Sequence, residues 1–395
     1  MWIERDFAAC WRQHSLPVRL VTGPRQSGKS TFLRRLCDHK AAWLSLDDLH
    51  QRELAQTDPR LFLTRPEPLV VLDEVQLAPQ LLPEIKRRID EWRMSERTTP
   101  QPAYWLTGSN QILLDRGLKE SLAGRANYFS FSPLSIAELQ RAGLEISPPS
   151  VFLKGGWPQL HAEPELSPVQ YLNDYISTVV EKDIVSTAGI QKVREFLKTV
   201  RLLAARTGQI LVVSNLTQDS GVKQPTLHDW IGILERMQVL SLVEPYSSSL
   251  SKRLVRTPKL YWNDVGLASR LQGWGEADPL ILSPQLGPLF ETLAFTEIQK
   301  TASNYGKSWR ISYVRNKEQD EVDFLLEGAN GTKLVVEAKW SSAEALSWRL
   351  PRRLLSVLEG IPQAVVSYLG GLNPTSDIRH LSLTELGPFL LERLD

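Results

Sequence analysis

The 395-residue sequence contains only two cysteines, Cys10 and Cys37. Two thiols are too few for a disulfide framework or a structural zinc site. The six histidines are scattered and form no ligand-spaced pair. No apolar run reaches the roughly 20 residues that a membrane helix needs. The opening Met1-Trp2-Ile3-Glu4-Arg5-Asp6 carries acids early and has no apolar signal core. A cytoplasmic protein with no membrane partner is the expectation. Neither sign of charge is in excess: the net is +1, so any nucleic-acid surface has to be a local patch. There is no internal repeat and no low-complexity tract. What remains is an ordinary globular mixture, 42% hydrophobic and 23% charged, long enough for two or three domains.

Residues 1–145 alternate between strand and helix patterns. Val18–Thr22, Ala42–Leu46, Leu69–Leu72, Tyr104–Thr107 and Tyr128–Phe131 read as strands, with helices over Ser30–Lys40 and Leu81–Trp92. Leu69–Leu72 is purely aliphatic, as a central parallel strand buried on both faces requires. The alternation predicts a parallel α/β sheet. Near residue 145 the pattern changes, with Ser147-Pro148-Pro149 as a linker. The expected domains are 1–145, a mostly helical 146–262, and a mixed α/β 263–395.

Gly23-Pro24-Arg25-Gln26-Ser27-Gly28-Lys29-Ser30 fills every fixed position of G-x-x-x-x-G-K-[ST], between a strand and a helix. Glycines let the backbone wrap closely round phosphate, and the loop amides with the helix N-terminus face the anion. The segment Gly23–Thr31 is therefore the expected cradle for ATP or ADP. Lys29 neutralises the β- and γ-phosphates, and Ser30 contacts Mg²⁺. The strand Leu69–Leu72 ends in Asp73-Glu74. Asp73 is expected to hold the same Mg²⁺, and Glu74 to orient the attacking water. After the next strand, Asn110 is the first choice for a γ-phosphate sensor and Ser109 the second, although Asn110 can equally cap a helix. Arg125, after Gly124, is a candidate for the arginine that reaches a γ-phosphate in cis or from a neighbour, or else a surface ion pair.

These pieces together resemble one family. Gly23–Thr31, Leu44-Ser45-Leu46-Asp47-Asp48, Leu72-Asp73-Glu74-Val75-Gln76, Thr107-Gly108-Ser109-Asn110 and Leu122-Ala123-Gly124-Arg125 are similar to the prokaryotic AAA-type ATPases with a C-terminal DUF4143 domain. The resemblance continues through Gly155-Gly156-Trp157-Pro158, Glu181-Lys182-Asp183-Ile184, Tyr261–Leu267, Glu321-Val322-Asp323-Phe324 and Val336-Glu337-Ala338-Lys339. It implies an AAA+ core, a winged-helix segment and a C-terminal fold like PD-(D/E)xK nucleases. It strengthens the functional reading of Arg125.

Leu216–Trp230 reads as helix, glycine turn and second helix, with Leu227, Ile231 and Leu234 on the buried face and Val239–Val243 as a following strand. In a winged helix the second helix meets the major groove with its N-terminal residues, here Lys223, Gln224, Thr226 and His228. Lys252, Arg253 and Arg256 would lie near the wing. Across 221–260 six basic residues face three acids, a local surplus of +3. The C-terminal third reads as helix Leu289–Thr301, strands Trp309–Arg315, Val322–Glu327 and Lys333–Ala338, helix Ala343–Leu358 and strand Ala364–Tyr368. Glu337 and Lys339 are two apart, so they share a strand face, and Asp323 on the adjacent strand can meet them. With Glu291 on the preceding helix, Asp323 and Glu337 are candidate ligands for a second Mg²⁺ or Mn²⁺, with Lys339 beside the attacking water. The expected function is a Mg²⁺-dependent ATPase that forms a homo-oligomeric ring, a hexamer favoured, and acts on DNA, with a nuclease-like C-terminal site. The alternative is a signalling or protein-remodelling ATPase whose other domains only bind partners.

Overall fold

The computed structural model describes residues 1–37, 41–96, 99–109, 122–246, 257–370 and 378–394. The chain packs as two units, Arg5–Pro133 and Leu134–Asp395, the second joined by Met1–Glu4. Among the described residues no helix is long and apolar enough to cross a membrane.

The first unit is built on five strands, β1 (Val18–Thr22), β2 (Ala41–Ser45), β3 (Leu69–Asp73), β4 (Ala103–Gly108) and β5 (Ala126–Ser130). They pair in parallel in the order β2-β3-β4-β1-β5. Alternation along β1 and β3 explains the two cores. Val18, Leu20, Val70 and Leu72 face Ile85 and Ile89 of helix Leu81–Met94. Val21 and Val71 face Phe7, Trp11, Phe32 and Phe129 on the other side. The strand after β1 lies at one edge and β5 on the opposite flank, so the carboxyl ends of β1, β4 and β3 frame a crevice of the kind where open α/β sheets bind ligands.

The second unit begins with helical segments, among them Pro168–Tyr175 and Val193–Ala204. Helices Val213–Ser220 and Gln224–Arg236 follow, joined through Gly221. Strands β6 (Gln209–Ile210), β7 (Leu240–Val243) and β8 (Lys259–Trp262) form an antiparallel sheet in the order β6-β8-β7. Beyond them the buried helix Leu286–Asn304 precedes β9 (Arg310–Arg315), β10 (Glu321–Glu327), β11 (Lys333–Ala338), β12 (Gln363–Ser367) and β13 (Ile378–Ser382). Their order is β13-β12-β11-β10-β9, antiparallel from β9 to β11 and parallel from β11 to β13. Two features depart from the sequence expectation. The stretch read as one helix, Ala343–Leu358, is broken into Ser342–Ser347, a tight turn Arg352–Leu354 and Leu355–Leu358. Pro351 is the cause, since it offers no N–H to the helix and restricts the residue before it. Strand β13 and the terminal helix Leu383–Leu394 extend the expected core.

Phe7 is fully buried and makes edge or tilted ring contacts with Trp11, Phe32, Phe129 and Phe131. Phe32 sits on the helix that follows the glycine loop. Truncating a buried Phe to Ala costs about 3–5 kcal/mol. Phe7→Ala is expected to lower the melting transition of the Arg5–Pro133 unit by on the order of 10 °C in calorimetry. A shift within one degree would show that the ring cluster does not hold this unit together.

Candidate functional site

The loop Gly23–Gly28 leaves the carboxyl end of β1 and feeds helix Lys29–Leu36. Gly23 is obligatory: a Cβ there would lie 2.1 Å from the Phe131 carbonyl oxygen. Gly28, at φ +97°, occupies the left-handed region immediately before the helix. Ser27 is buried and its hydroxyl donates to the Pro24 carbonyl at 2.8 Å. Arg25 and Gln26 are exposed, as is Thr31 in the first helical turn. The Ser27 carbonyl accepts from Arg5 at 3.1 Å. Arg5 also donates to the Ser132 carbonyl at 2.6 Å and lies over the Phe131 ring. Sequence reading missed this buried brace, because a lone arginine near a chain start carries no motif.

Lys29 is 5% exposed and donates to the carbonyls of Gly23 and Pro24, each at 2.8 Å. It holds its own loop in a ring that a phosphate can displace. Burial pushes its pKa down to about 8, against the opposing pull of Glu74 and Asp73. Ser30 Oγ donates to Asp73 Oδ1 at 2.8 Å, and Thr107 donates to the same oxygen. Ser30 in the first turn of helix Lys29–Leu36 and Asp73 at the end of β3, the residues expected to hold Mg²⁺, are thus in direct contact.

Glu74 follows in the left-handed region at φ +58°. A non-glycine residue held there stores about 1–3 kcal/mol and persists only when its surroundings fix it. They do: its N–H donates to Thr107 Oγ1 at 3.0 Å, and its carbonyl accepts from Leu77 N at 3.0 Å. The carboxylate accepts from Ser109 Oγ at 2.7 Å and from the Gln76 amide. Burial would raise its pKa, but Gln76, the Lys29 charge and Ser109 together hold it below the ordinary glutamate value. Gln76 is 5% exposed, and its Oε1 is buried without a partner. That orphan acceptor beside Glu74 fits a crevice made for a polar ligand or water. Ser109, the second choice for the polar residue after β4, is the one that touches Glu74. Asn110 lies outside the described residues. Thr107 and Gln76 were quoted in sequence motifs but given no role. Only the pairing of β3 with β4 shows what they touch.

Arg125 is at the other end of the sheet. It immediately precedes β5, and its carbonyl accepts from Val18 N at the start of β1. The phosphate loop leaves β1 after Thr22, roughly 13 Å away at about 3.3 Å per residue. Within one chain Arg125 does not reach the loop. Its guanidinium grips Asp90 through two bonds of 2.7 and 2.8 Å.

In the second unit Lys223, Gln224 and His228 are exposed on the first turns of helix Gln224–Arg236, and Thr226 is half-buried. They form one polar surface, with Gln224 and His228 side chains 3.4 Å apart. Lys252, Arg253 and Arg256 lie outside the described residues.

The C-terminal acids are brought together differently from the expectation. Glu291, Glu321 and Asp323 place carboxylate oxygens within 4.8 Å of one another, close enough for one cation. A β-bulge between Val322 and Leu325 sits beside Asp323. The cation in their midst is Lys259, 2% exposed, whose Nζ lies 2.6 Å from Glu291 and 3.7 Å from Asp323 and contacts Glu321. Tyr261 also donates to Glu291. Burial works against the Lys259 charge, yet Glu291, Asp323 and Glu321 hold its pKa well above the ordinary lysine value. Glu337, on the neighbouring strand β11, pairs with Lys339 at 2.7 Å. It also accepts from the Asp323 N–H at 3.2 Å. Burial, reinforced by Asp323, pushes Glu337 up to about 8 and Glu291 up to about 7. Lysines thus supply the positive charge among these acids: Glu291 and Asp323 of the expected set share Lys259 with Glu321, and Glu337 closes on Lys339. Sequence reading places Lys259 in the basic surplus of 221–260 near the wing; the structure instead buries it among acids, and its position opening the otherwise apolar strand Lys259-Leu260-Tyr261-Trp262 is the signal for that burial.

Removing one partner from a buried ion cluster costs about 3–5 kcal/mol because the remaining charges stay unpaired. Lys259→Met is expected to be destabilised by that amount at pH 8. Acids whose folded pKa lies above the unfolded value carry no penalty below the unfolded value and lose stability as pH rises through the folded one. The deficit of the variant therefore shrinks as pH falls from 8 towards 5, readable in urea titrations. Millimolar Mn²⁺ leaves the melting temperature of the nucleotide-free wild type unchanged. Stabilisation of the wild type by Mn²⁺ that disappears in Asp323→Ala would restore the metal.

Three families match successive parts of the chain: an AAA domain over residues 16–140, a domain of unknown function, DUF8612, over 149–278, and another, DUF4143, over 286–381. Uncharacterized proteins of Mycobacterium tuberculosis and Mycobacterium bovis are each 28% identical over 352 residues, covering 88% of this chain and 76% of theirs. Among solved structures, a Walker-type ATPase of Pyrococcus abyssi aligns at 16% identity and TM-score 0.42, over 68% of this chain and 94% of that one. Cdc6p from Pyrobaculum aerophilum aligns at 14% identity and TM-score 0.26, over 65% and 88%. The phosphate loop, the Ser30–Asp73 contact and the braced Glu74 all fall within the segment that matches an AAA domain, and the acids Glu291, Glu321, Asp323 and Glu337 fall within the segment that matches DUF4143.

Proposed function

We propose that the chain hydrolyses ATP in the crevice above β1, β3 and β4, and does so as a homo-oligomer that engages DNA. The observation that carries the hydrolytic reading is the braced Glu74 carboxylate, held by Ser109 and Gln76 and electrostatically coupled to Lys29. Ser30 and Asp73 are the residues that would hold Mg²⁺, which supplies charge neutralisation for the β- and γ-phosphates when bound. Lys29 gives up two backbone carbonyls and turns its ammonium to the phosphates. Glu74 is ionised at neutral pH and accepts a proton from the attacking water. The unpartnered Gln76 oxygen is a second acceptor for that water.

Three measurements test this. Glu74→Gln keeps ATP binding and loses turnover, whereas Lys29→Ala loses binding; wild-type turnover in Glu74→Gln would overturn the assignment. Because the free Lys29 ammonium titrates near 8 and binding favours its charged form, ATP affinity weakens as pH rises through about 8. Affinity that is flat from pH 7 to 9 would show that Lys29 does not supply the counter-charge.

Arg125 serves the site only from a neighbouring subunit in this proposal, which supports a ring, six subunits favoured. Arg125→Ala then lowers kcat by about a thousandfold with ATP affinity intact. Mixing it with Lys29→Ala protein restores part of the activity, because some interfaces combine an intact Lys29 with an intact Arg125. A mixture that stays inactive, or a fully active dilute monomer, counts against assembly.

DNA is the proposed partner because Lys223, Gln224 and His228 present an exposed polar helix start after a glycine turn, the arrangement with which a winged helix enters a groove. With Lys259 and Lys339 already neutralising its acids, the DUF4143 domain acts in this proposal as a binding module without phosphodiester cleavage.

A further inference from the structure

Helix Val193–Ala204 buries Phe196, Thr199, Val200 and Leu203 and turns the opposite face outwards. Arg194, Lys198 and Arg201 lie on that outer face, at spacings of four and three residues, so they form one stripe. All three are exposed, and none makes an ion pair among the described residues. The stripe borders a cleft of about 980 Å³. Glu195 is the one acid on its lining, leaving a surplus of positive charge. The far wall carries Trp274, half-buried, with its indole N–H donating to Gln272 at 2.9 Å, which fixes the ring. Ser220, the last residue of the helix before Gln224–Arg236, also lines the cleft.

We propose that this cleft binds a single strand of nucleic acid, with phosphates on Arg194, Lys198 and Arg201 and a base on the face of Trp274. The proposal rests on the DNA reading above and names the surface and the form of DNA. Three reasons favour this ligand. Unpaired cations along one helix face attract a polyanion, and a rise of about 1.5 Å per residue spreads them over roughly 10 Å, matching a run of backbone phosphates better than one anion. A tryptophan fixed at the wall offers a stacking surface, which combines with a basic groove in sequence-tolerant strand binding. A duplex hides its base faces in its own stack, so Trp274 discriminates in favour of a single strand.

The test is fluorescence anisotropy with a labelled oligothymidine of about 15 nucleotides and with a duplex of equal length, across a salt series. Wild type is expected to prefer the single strand. Arg194→Ala/Lys198→Ala/Arg201→Ala weakens single-strand binding at least about tenfold and lowers the slope of log affinity against log salt by about 2, since each phosphate contact contributes about 0.7. Trp274→Ala weakens binding about fivefold or more and leaves the slope unchanged. Unaltered melting temperature and basal ATPase rate show that both variants fold. The proposal is overturned if both bind the single strand as wild type does, if the cleft variants lose duplex binding as fully as single-strand binding, or if polyglutamate competes as well as the oligonucleotide. A Lys223→Ala/His228→Ala variant separates the two ideas. Loss of binding there with none in the cleft variants removes the cleft and keeps the DNA reading, whereas a wild type that binds neither form removes both.

Discussion

A charge withdrawn from water has to meet its opposite within a few ångströms, and both units of this protein are organised by how they answer that demand. In the Arg5–Pro133 unit the answer is deliberately incomplete. Lys29 is buried on neutral backbone carbonyls, with its pKa drawn down, while Asp73 and Glu74 are held by hydroxyls and an amide. Cation and anions share a crevice without closing on one another, so a ligand carrying the complementary charges completes the site. In the second unit the answer is complete. Lys259 sits among Glu291, Glu321 and Asp323, and Lys339 closes on Glu337. The same residue types give a poised site in one place and a sealed one in the other, because the lysines differ in what they touch.

The poised site depends on strand order. With β4 between β1 and β3, Thr107 reaches both Asp73 and the Glu74 N–H, and Ser109 reaches the Glu74 carboxylate. The left-handed backbone at Glu74 is tolerable only with those partners in place. Parallel pairing also decides the position of Arg125. Loops at the two ends of a parallel sheet are separated by the strand length, so a residue just before β5 cannot share a site with a loop just after β1.

The sealed site has a mechanical consequence inside the second unit. Lys259 belongs to the small sheet beside the two exposed helices, whereas its acid partners belong to helix Leu286–Asn304 and to β10. Tyr313 on β9 adds to this tie. Its carbonyl accepts from Tyr246 N at 2.7 Å and its hydroxyl donates to the Thr257 carbonyl. The small sheet and the C-terminal sheet are thus cross-linked by buried polar contacts, which are costly to break singly.

The sequence alone determined the phosphate loop, the aliphatic strand ending in Asp73-Glu74, the α/β class and most C-terminal strands. Each of these is written in local spacing: a loop with fixed glycines, a run of aliphatics, an alternation of period two. The tertiary structure alone decided which side chains meet. It chose Ser109 and Gln76 as the partners of Glu74, set Arg125 at the far end of the sheet, and put Lys259 among acids more than 30 residues away in sequence. Such choices follow from strand order, register and burial, and no window of neighbouring residues encodes them. A carboxylate cluster looks the same in sequence whether a metal ion or a distant lysine neutralises it, and only packing fixes which cation fills the space.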